Sequence, residues 1–143
     1  MFKIKMIHDG VKVPTKAYDG DAGFDVYSHS PTVTLGPGER YKFRLGFAME
    51  FDEGFVALIQ GKSGLAADNG ICTIGNVIDS NYRGECHATL VNLGQASVTV
   101  RQHQKVAQML IMPCYTGREY QVIEALSDTD RGAGGFGSTG LGG

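Results

Sequence analysis

A short run near the middle of the chain carries the residue types that hydrolytic chemistry needs. The run reads Gly75-Asn76-Val77-Ile78-Asp79-Ser80-Asn81-Tyr82-Arg83-Gly84-Glu85. An apolar pair leads into a polar turn and a glycine leads out, which predicts a β-hairpin with Asp79 and Tyr82 near its tip. A carboxylate fixed at such a tip can hold a water molecule and accept its proton. The same pattern also fits an ordinary turn in which Asp79 caps its own backbone.

Two glycine-containing runs resemble nucleotide-binding fingerprints but fail the full pattern. Gly61-Lys62-Ser63 matches the end of a phosphate-binding P-loop, but Val56 stands where that loop requires its first glycine. Gly132, Gly134 and Gly137 have the spacing of a dinucleotide fingerprint, but only six residues follow Gly137, too few for the helix that should come next. Both runs still place backbone N–H groups beside Lys, Arg or Ser, which suits phosphate oxygens.

The elements that position these residues are predicted to be mostly strands. Strand patterns cover residues 2–6, 41–45, 55–59, 98–101 and 106–112, whereas one short helix is predicted over residues 64–69, ended by Gly70. Short strands joined by turns that contain Gly and Pro are typical of a sandwich, jelly roll or barrel. We therefore expect an all-β core domain over residues 1–126. From residue 127 the composition changes to Asp, Thr, Gly and Ser, which predicts a flexible, glycine-rich C-terminal arm over residues 127–143.

The overall composition and net charge argue against several classes of function. The net charge of -2 argues against direct nucleic-acid binding and against an anionic membrane surface. No apolar run is long enough to span a bilayer, and the N-terminus lacks a signal-peptide core. The three cysteines are odd in number and widely spaced, which predicts free thiols and a cytoplasmic location.

Five segments resemble, in order, the five motifs of the dUTPase family. The first two are Ala22-Gly23-Phe24-Asp25-Val26 and Lys62-Ser63-Gly64-Leu65-Ala66. The third is the run that begins at Gly75, and the fourth is Lys105-Val106-Ala107-Gln108-Met109. The fifth is Arg131-Gly132-Ala133-Gly134-Gly135-Phe136-Gly137-Ser138-Thr139-Gly140. The resemblance spans nearly the whole chain, and the third and fifth motifs are the most specific.

The resemblance implies a jelly-roll-like subunit of a homotrimer with shared active sites. It implies hydrolysis of dUTP to dUMP and pyrophosphate, which lowers dUTP and supplies dUMP for thymidylate synthesis. Asp79 is then the catalytic residue that directs water in line at the α-phosphorus. The expected cofactor is Mg²⁺ carried by the triphosphate, with Asp25 in its outer shell through water.

The resemblance also assigns substrate-binding roles. The phosphate contacts are expected from Lys62, Ser63, Gly64, Gln108 and Arg131. The uracil edge is expected to pair with the backbone around Asn76, Val77 and Ile78. Tyr82 is expected under the deoxyribose, where it excludes a 2′-hydroxyl. Phe136, Gly137 and Ser138 are expected in the closing arm, with Phe136 over the base.

The chain departs from the family pattern at three places. The second motif usually reads Pro-Arg-Ser, and Lys62 keeps the charge but loses the two-pronged contact of arginine. The third motif usually has Gly where this chain has Asn76, which either adopts the same positive φ or adds a contact to uracil. The fourth motif usually begins with Gly and carries Arg, whereas this chain has His103 and Lys105.

Two other functions fit parts of the sequence. A dCTP deaminase shares the expected fold and needs a catalytic carboxylate near the base, for which Glu85 is the candidate. A nucleotide-sensing interaction protein would use the trimer to bind a regulatory partner. The presence of Asp79 and of a full C-terminal arm favours retained catalysis.

Overall fold

The computed structural model describes residues 1–136, 138 and 140. This part of the chain contains eleven strands and one short helix. The first six strands are β1 (Lys3–Met6), β2 (Phe24–Tyr27), β3 (Val33–Leu35), β4 (Arg40–Arg44), β5 (Phe47–Glu50) and β6 (Phe55–Gln60). Helix α1 (Ser63–Asn69) follows, and then β7 (Ile71–Ile74), β8 (Val77–Asp79), β9 (His87–Asn92), β10 (Val98–Val100) and β11 (Lys105–Pro113).

The strands form antiparallel sheets. The largest sheet has the order β2-β11-β6-β8, and a second has the order β4-β9-β7. Two further pairs, β1-β5 and β10-β3, complete the described architecture. The prediction of an all-β protein with one short helix is therefore confirmed.

One hydrophobic cluster joins the sheets. Its fully buried members include Val26 and Met109 from the four-stranded sheet and Phe43, Ile71 and Leu90 from the three-stranded sheet. Strands such as β4 and β9 contribute one face to this core because successive side chains of a strand point to opposite faces. The opposite positions remain available for polar residues, among them those of the candidate site. Both Val106 and Ala107 of β11 are buried, next to a register shift in its pairing with β2.

The predicted strand and helix ranges agree closely where the pattern is strong. The expected strands at 55–59 and 106–112 correspond to β6 and β11, and the expected helix at 64–69 corresponds to α1. Gly70 ends the helix in the left-handed conformation with φ 69°, as the sequence predicts.

The prediction of a two-stranded hairpin across residues 75–86 is wrong. β8 pairs with β6, whereas β9 pairs with β4 and β7, so the strands on either side of the turn belong to different sheets. β9 buries Ala88, Leu90 and Asn92 on one face, and this burial holds it in the three-stranded sheet. The turn therefore crosses between two sheets, and each of its ends is attached to a different one.

The chain after β11 contains no helix or strand among the described residues. Residues 115–133 are all exposed. The boundary between core and arm at residues 126 and 127 stays a prediction.

Candidate active site

Asp25 is the centre of a charged cluster that three sequence motifs build. It lies on β2, is only 8% exposed, and forms ion pairs with Lys62 after β6 and with Lys105 at the start of β11. The Lys105 Nζ lies 2.7 Å from Asp25 Oδ2, and Lys62 binds Oδ1. Burial alone would raise the pKa of Asp25, but hydrogen bonds from Lys105 and Lys62 outweigh it and hold the pKa below its usual value. The hydrogen bond to Asp25 likewise raises the pKa of Lys105.

Gln108 ties this cluster to the neighbouring strands. β11 runs between β2 and β6, so Gln108 lies opposite both Asp25 and Gln60. Its Nε2 donates to the Gly61 carbonyl at 2.9 Å. A Cβ at Gly23 would lie 2.7 Å from Gln108 Oε1, so the glycine of the first motif gives the amide its space. We call Asp25, Lys62, Lys105 and Gln108 the charged cluster.

Ser63 and Gly64 open helix α1 next to the charged cluster. Lys62 precedes the helix in an extended conformation, and no side chain caps its first turn. Both Ser63 and Gly64 are exposed. The predicted phosphate contacts Lys62, Ser63, Gly64 and Gln108 thus lie at one end of β6, whereas Arg131 does not belong to this group.

Asp79 lies at the other end of β6, in a shallow pocket. It ends β8, is exposed, and its carbonyl accepts a hydrogen bond of 3.1 Å from the Tyr82 N–H across the turn. We call the depression of about 170 Å³ around it the turn pocket. The pocket is lined by Gly75, Val77, Ile78, Asp79, Tyr82, Glu85, Cys86 and His87.

Tyr82 is fixed against the return of the turn. Its hydroxyl donates to the Glu85 carbonyl at 3.1 Å, and the side chain is 44% exposed. A Cβ at Gly84 would overlap the tyrosine ring and lie 2.9 Å from Cε2. The absence of a side chain at Gly84 is therefore what lets the ring lie across the turn, a role that the sequence prediction missed.

β8 is an edge strand of its sheet. The edge that faces β6 is hydrogen-bonded to that strand. The Asn76 carbonyl accepts from the Ile59 N–H at 2.9 Å, and Val77 and Ile78 pair with β6. The Ile78 side chain is buried in the core. Backbone groups on the outer edge, in contrast, have no strand beside them in the described sheet, so they can face a ligand.

The structure describes the backbone at two departures from the family pattern, Asn76 and His103. Asn76 is not among the described non-glycine residues with positive φ, so the first of its two proposed roles is wrong. Gly75 takes the positive φ of 65° instead, and the Asn76 Nδ2 donates to Thr73 Oγ1 at 3.2 Å. His103, where the family usually has Gly, does adopt the left-handed conformation, with φ 63°.

The Glu85 carboxylate is held by hydrogen bonds from two neighbouring residues. Its carboxylate accepts hydrogen bonds from Arg44 Nε at 3.1 and 3.2 Å and from the Gly46 N–H at 3.1 Å. Burial would raise its pKa, but Arg44 and the Gly46 N–H outweigh burial and lower it. A carboxylate with a lowered pKa is a weaker base, and the oxygens of Glu85 already accept hydrogen bonds, so Glu85 is poorly suited to activate water in a deaminase. No sequence signal marks Arg44 as its partner, because the two residues are 41 positions apart.

Two of the predicted arm residues, Arg131 and Ser138, bind backbone carbonyls of the arm itself. Arg131 Nε donates to the Gly134 carbonyl at 2.9 Å, and the Ser138 N–H donates to the Gly135 carbonyl at 3.0 Å. Phe136 is fully exposed and has φ 50°. Gly137 lies outside the described residues. None of the described arm residues lines the turn pocket.

The turn pocket and the charged cluster are separated along β6. Asp79 pairs with Val56, whereas Gln60, at the other end of the strand, pairs with Gln108. Four residues of strand span roughly 13 Å. Within one chain, β6 thus separates the turn pocket from the charged cluster.

Comparison with known proteins decides the family. The family model described as dUTPase matches residues 9–140. The chain belongs to the dUTPase family. A curated relative, the deoxyuridine 5'-triphosphate nucleotidohydrolase of Alkaliphilus metalliredigens, is 43% identical over 97% of this chain and 96% of its own length. The predicted family and the predicted enzyme class, a dUTP hydrolase, are thereby confirmed.

Solved dUTPase structures show the same fold. The dUTPase of Staphylococcus bacteriophage 80alpha with dUPNHPP has a TM-score of 0.90, 24% identity and 99% coverage of both chains. A mutant dUTPase from phage phi11 of S. aureus, described with a structural Mg(II) ion, has a TM-score of 0.80 and 22% identity, and covers 89% of this chain and 99% of its own. The predicted dUTPase fold is therefore confirmed.

The described part of this dUTPase-family chain offers no all-protein metal cage. It contains no group of three or more His, Cys, Asp or Glu side chains placed to hold a metal ion. Mg²⁺ is commonly held by one or two carboxylates together with substrate phosphates and water. Asp25, with an ammonium group on each oxygen, fits contact with such an ion through water better than direct ligation. No helix in the described residues is long and apolar enough to cross a membrane.

Proposed function

We propose that this chain hydrolyses dUTP to dUMP and pyrophosphate by attack of a water molecule on the α-phosphorus. The observation that carries the proposal is the exposed carboxylate of Asp79 at the end of a rigid strand, inside a pocket beside Tyr82. A short side chain on such a strand is well placed to orient one water molecule and accept its proton. The reaction lowers dUTP and supplies dUMP for thymidylate synthesis.

The outer edge of β8 reads the base in this proposal. Uracil presents an acceptor, a donor and an acceptor, which backbone N–H and C=O groups of Asn76, Val77 and Ile78 complement. The edge strand offers such groups, and the buried Ile78 side chain keeps the strand in place. Tyr82 lies under the deoxyribose and leaves no room for a 2′-hydroxyl.

The charged cluster and the start of α1 bind the triphosphate. Lys62, Ser63, the Gly64 N–H and Gln108 supply donors for the phosphate oxygens. Asp25 forms ion pairs with both lysines of the cluster. When the triphosphate binds, its phosphates take the place of Asp25 as anionic partners of these lysines. Mg²⁺ bound to the triphosphate adds positive charge that offsets the charge of the phosphates, and Asp25 contacts its water shell.

The C-terminal arm closes over the bound nucleotide. Arg131 and Ser138 add phosphate donors, and Phe136 covers the uracil ring. The exposure of Phe136 supports this role, because an aromatic ring without a core of its own gains by stacking on a base. Closure excludes bulk water from the phosphates.

A homotrimer supplies complete sites from the turn pocket of one subunit and the charged cluster of another. The separation of Asp79 and the charged cluster along β6 supports this assembly, because a neighbouring subunit can bring its own charged cluster beside Asp79. We also propose a cytoplasmic location. Cys72, Cys86 and Cys114 are free thiols, as expected in a reducing compartment.

The decisive experiment is a pyrophosphate-release assay with dUTP, dTTP, dCTP and UTP. We expect turnover of dUTP alone. Asp79→Asn should bind a non-cleavable dUTP analogue normally and lose about 10²–10⁴-fold in kcat, the range for a general base. Asp52→Asn, which changes another exposed aspartate, is the matched control and should retain full activity.

Two results would contradict the proposal. Near-normal turnover by Asp79→Asn would remove Asp79 from catalysis. Ammonia release from dCTP without pyrophosphate from dUTP would identify a deaminase. The sensing hypothesis is separate, and a pull-down with and without dUTP tests it.

A further inference from the structure

The return of the third-motif turn is held by a side chain from a distant strand. Glu85 supplies the carbonyl that accepts the Tyr82 hydroxyl, and its own carboxylate is bound by Arg44 Nε and by the Gly46 N–H. The Tyr82 hydroxyl is therefore bonded to a residue that is held by Arg44 of β4 and by Gly46, which precedes β5.

Arg44 is itself fixed at the end of β4. Its backbone N–H donates to Ser30 Oγ at 2.8 Å, and its carbonyl accepts from the His29 N–H at 2.7 Å. His8 contacts both the Arg44 guanidinium and the Glu85 carboxylate. The guanidinium thus reaches Glu85 from an anchored backbone.

The turn needs this support because no strand ladder joins its two sides. β8 pairs with β6, and the chain after the turn is tied by the Cys86 N–H to the Phe47 carbonyl at 2.8 Å and by the Leu45 N–H to the Cys86 carbonyl at 3.0 Å. These bonds anchor the Cys86 end of the planar peptide that carries the Glu85 carbonyl. The other end of that peptide, at the Glu85 Cα, is held through the Glu85 side chain. Only 16% of that side chain is exposed, so loss of Arg44 would leave a largely buried carboxylate without its cation.

We propose that Arg44 is a positioning residue for Tyr82 and that it sets how strictly the site rejects ribonucleotides. Without the guanidinium, the Glu85 side chain turns toward water, the Glu85–Cys86 peptide tilts about its hydrogen bond at Cys86, and the Tyr82 hydroxyl loses its fixed acceptor. The ring then no longer closes the space where a 2′-hydroxyl would lie. The inference rests on the proposed function, in particular on Tyr82 lying under the sugar.

The ratio of kcat/KM for UTP to kcat/KM for dUTP tests the inference. This ratio does not depend on the folded fraction of a variant, so a purely structural role of Arg44 would leave it unchanged. In Arg44→Met we expect the ratio to rise roughly tenfold, within the range that a misfit of one small group produces. Arg44→Lys keeps the positive charge but loses the planar guanidinium with its several donors. It should give a smaller rise in the ratio.

Arg40→Met is the matched control, because Arg40 is exposed on the same face of β4 and pairs with Val91 instead of His87. Its ratio should equal that of the unmodified protein. An unchanged ratio in Arg44→Met overturns the inference. If that variant does not fold, Arg44→Lys and Glu85→Gln replace it, and an unchanged ratio in both has the same meaning. Absence of dUTP hydrolysis by the unmodified protein would instead overturn the proposed function.

Discussion

At the scale of single residues, the space left by Gly84 has a direct steric consequence. A methyl group there would lie 2.9 Å from Cε2 of Tyr82 and must displace the ring. We expect Gly84→Ala to raise the KM for dUTP about tenfold or more, since small misplacements of a substrate-positioning group are costly. Steady-state kinetics will measure this.

Gly117→Ala is a matched control for that substitution. Its new methyl group would lie 2.8 Å from Cε2 of Tyr115, which reproduces the same tyrosine clash in the exposed segment after β11. Kinetics close to those of the unmodified protein are expected. An equal loss in both variants would show that the effect is not specific to Tyr82.

Asp25 gives a pH prediction at the same scale. Its pKa is lowered in the folded protein, so its contribution to stability is full above the unfolded value of about 3.9 and is lost as the pH falls through the folded value. Asp25→Asn should therefore unfold at a lower temperature than the unmodified protein at neutral pH. The difference should shrink below about pH 4.

Thermal unfolding without nucleotide, followed across that range, checks this expectation. Asp19→Asn, which changes an exposed aspartate before β2, should show no comparable difference. A difference between Asp25→Asn and the unmodified protein that persists unchanged in acid would mean that the ion pairs of Asp25 do not stabilise the fold.

At the scale of elements, the C-terminal arm is a separable part of the proposed site. Deletion from Arg131 onward should lower kcat/KM at least about hundredfold, as expected when fixed phosphate donors are removed. Assembly should persist, because the described arm residues lie outside the core cluster. Kinetics and the mass in solution measure the two effects.

Arg131→Met should reproduce part of the loss. Arg118→Met changes another exposed arginine after β11 and is expected to be neutral. Normal activity of the protein truncated before Arg131 would refute the proposal that the C-terminal arm closes over the nucleotide.

The sequence predicts elements well where one residue pattern determines them. α1 is marked by Gly70, and β6 and β11 by apolar runs. β9 escapes prediction because its buried face includes Asn92, a polar residue whose Nδ2 bonds the Leu35 and Ala96 carbonyls at 2.9 and 2.8 Å. Its burial is possible only through partners elsewhere in the chain.

The candidate site, too, is predicted where local sequence determines it and missed where it depends on distant residues. The motifs locate Asp79 and Tyr82 from local sequence alone. The hairpin prediction fails because strand pairing depends on competition between sheets, which local turn chemistry does not encode. The support of Glu85 by Arg44 is likewise a contact between distant positions.

At the scale of the whole molecule, the proposed sharing of the turn pocket and the charged cluster between subunits would make activity a property of the assembly. We expect Asp79→Asn and Lys62→Met, each nearly inactive alone, to regain activity when their subunits mix. With random mixing in a closed ring, about one quarter of the sites receive an intact Asp79 from one subunit and an intact Lys62 from its neighbour.

Co-expression with two affinity tags, followed by a pyrophosphate assay, measures the recovery. The separately purified variants, combined without subunit exchange, are the control. Activity equal to the mean of the two parents would place both residues of a site in the same chain.

The open edge of β8 also bears on solubility. Unpaired strand edges invite other chains to add a strand of their own, and proteins counter this with short edges and turns. β8 has three residues and ends at once in the Asp79 turn, so it offers too few groups to template a neighbouring strand. The same short length suits the proposed contact with a single nucleobase. Three residues of strand thus serve the proposed recognition and also limit aggregation.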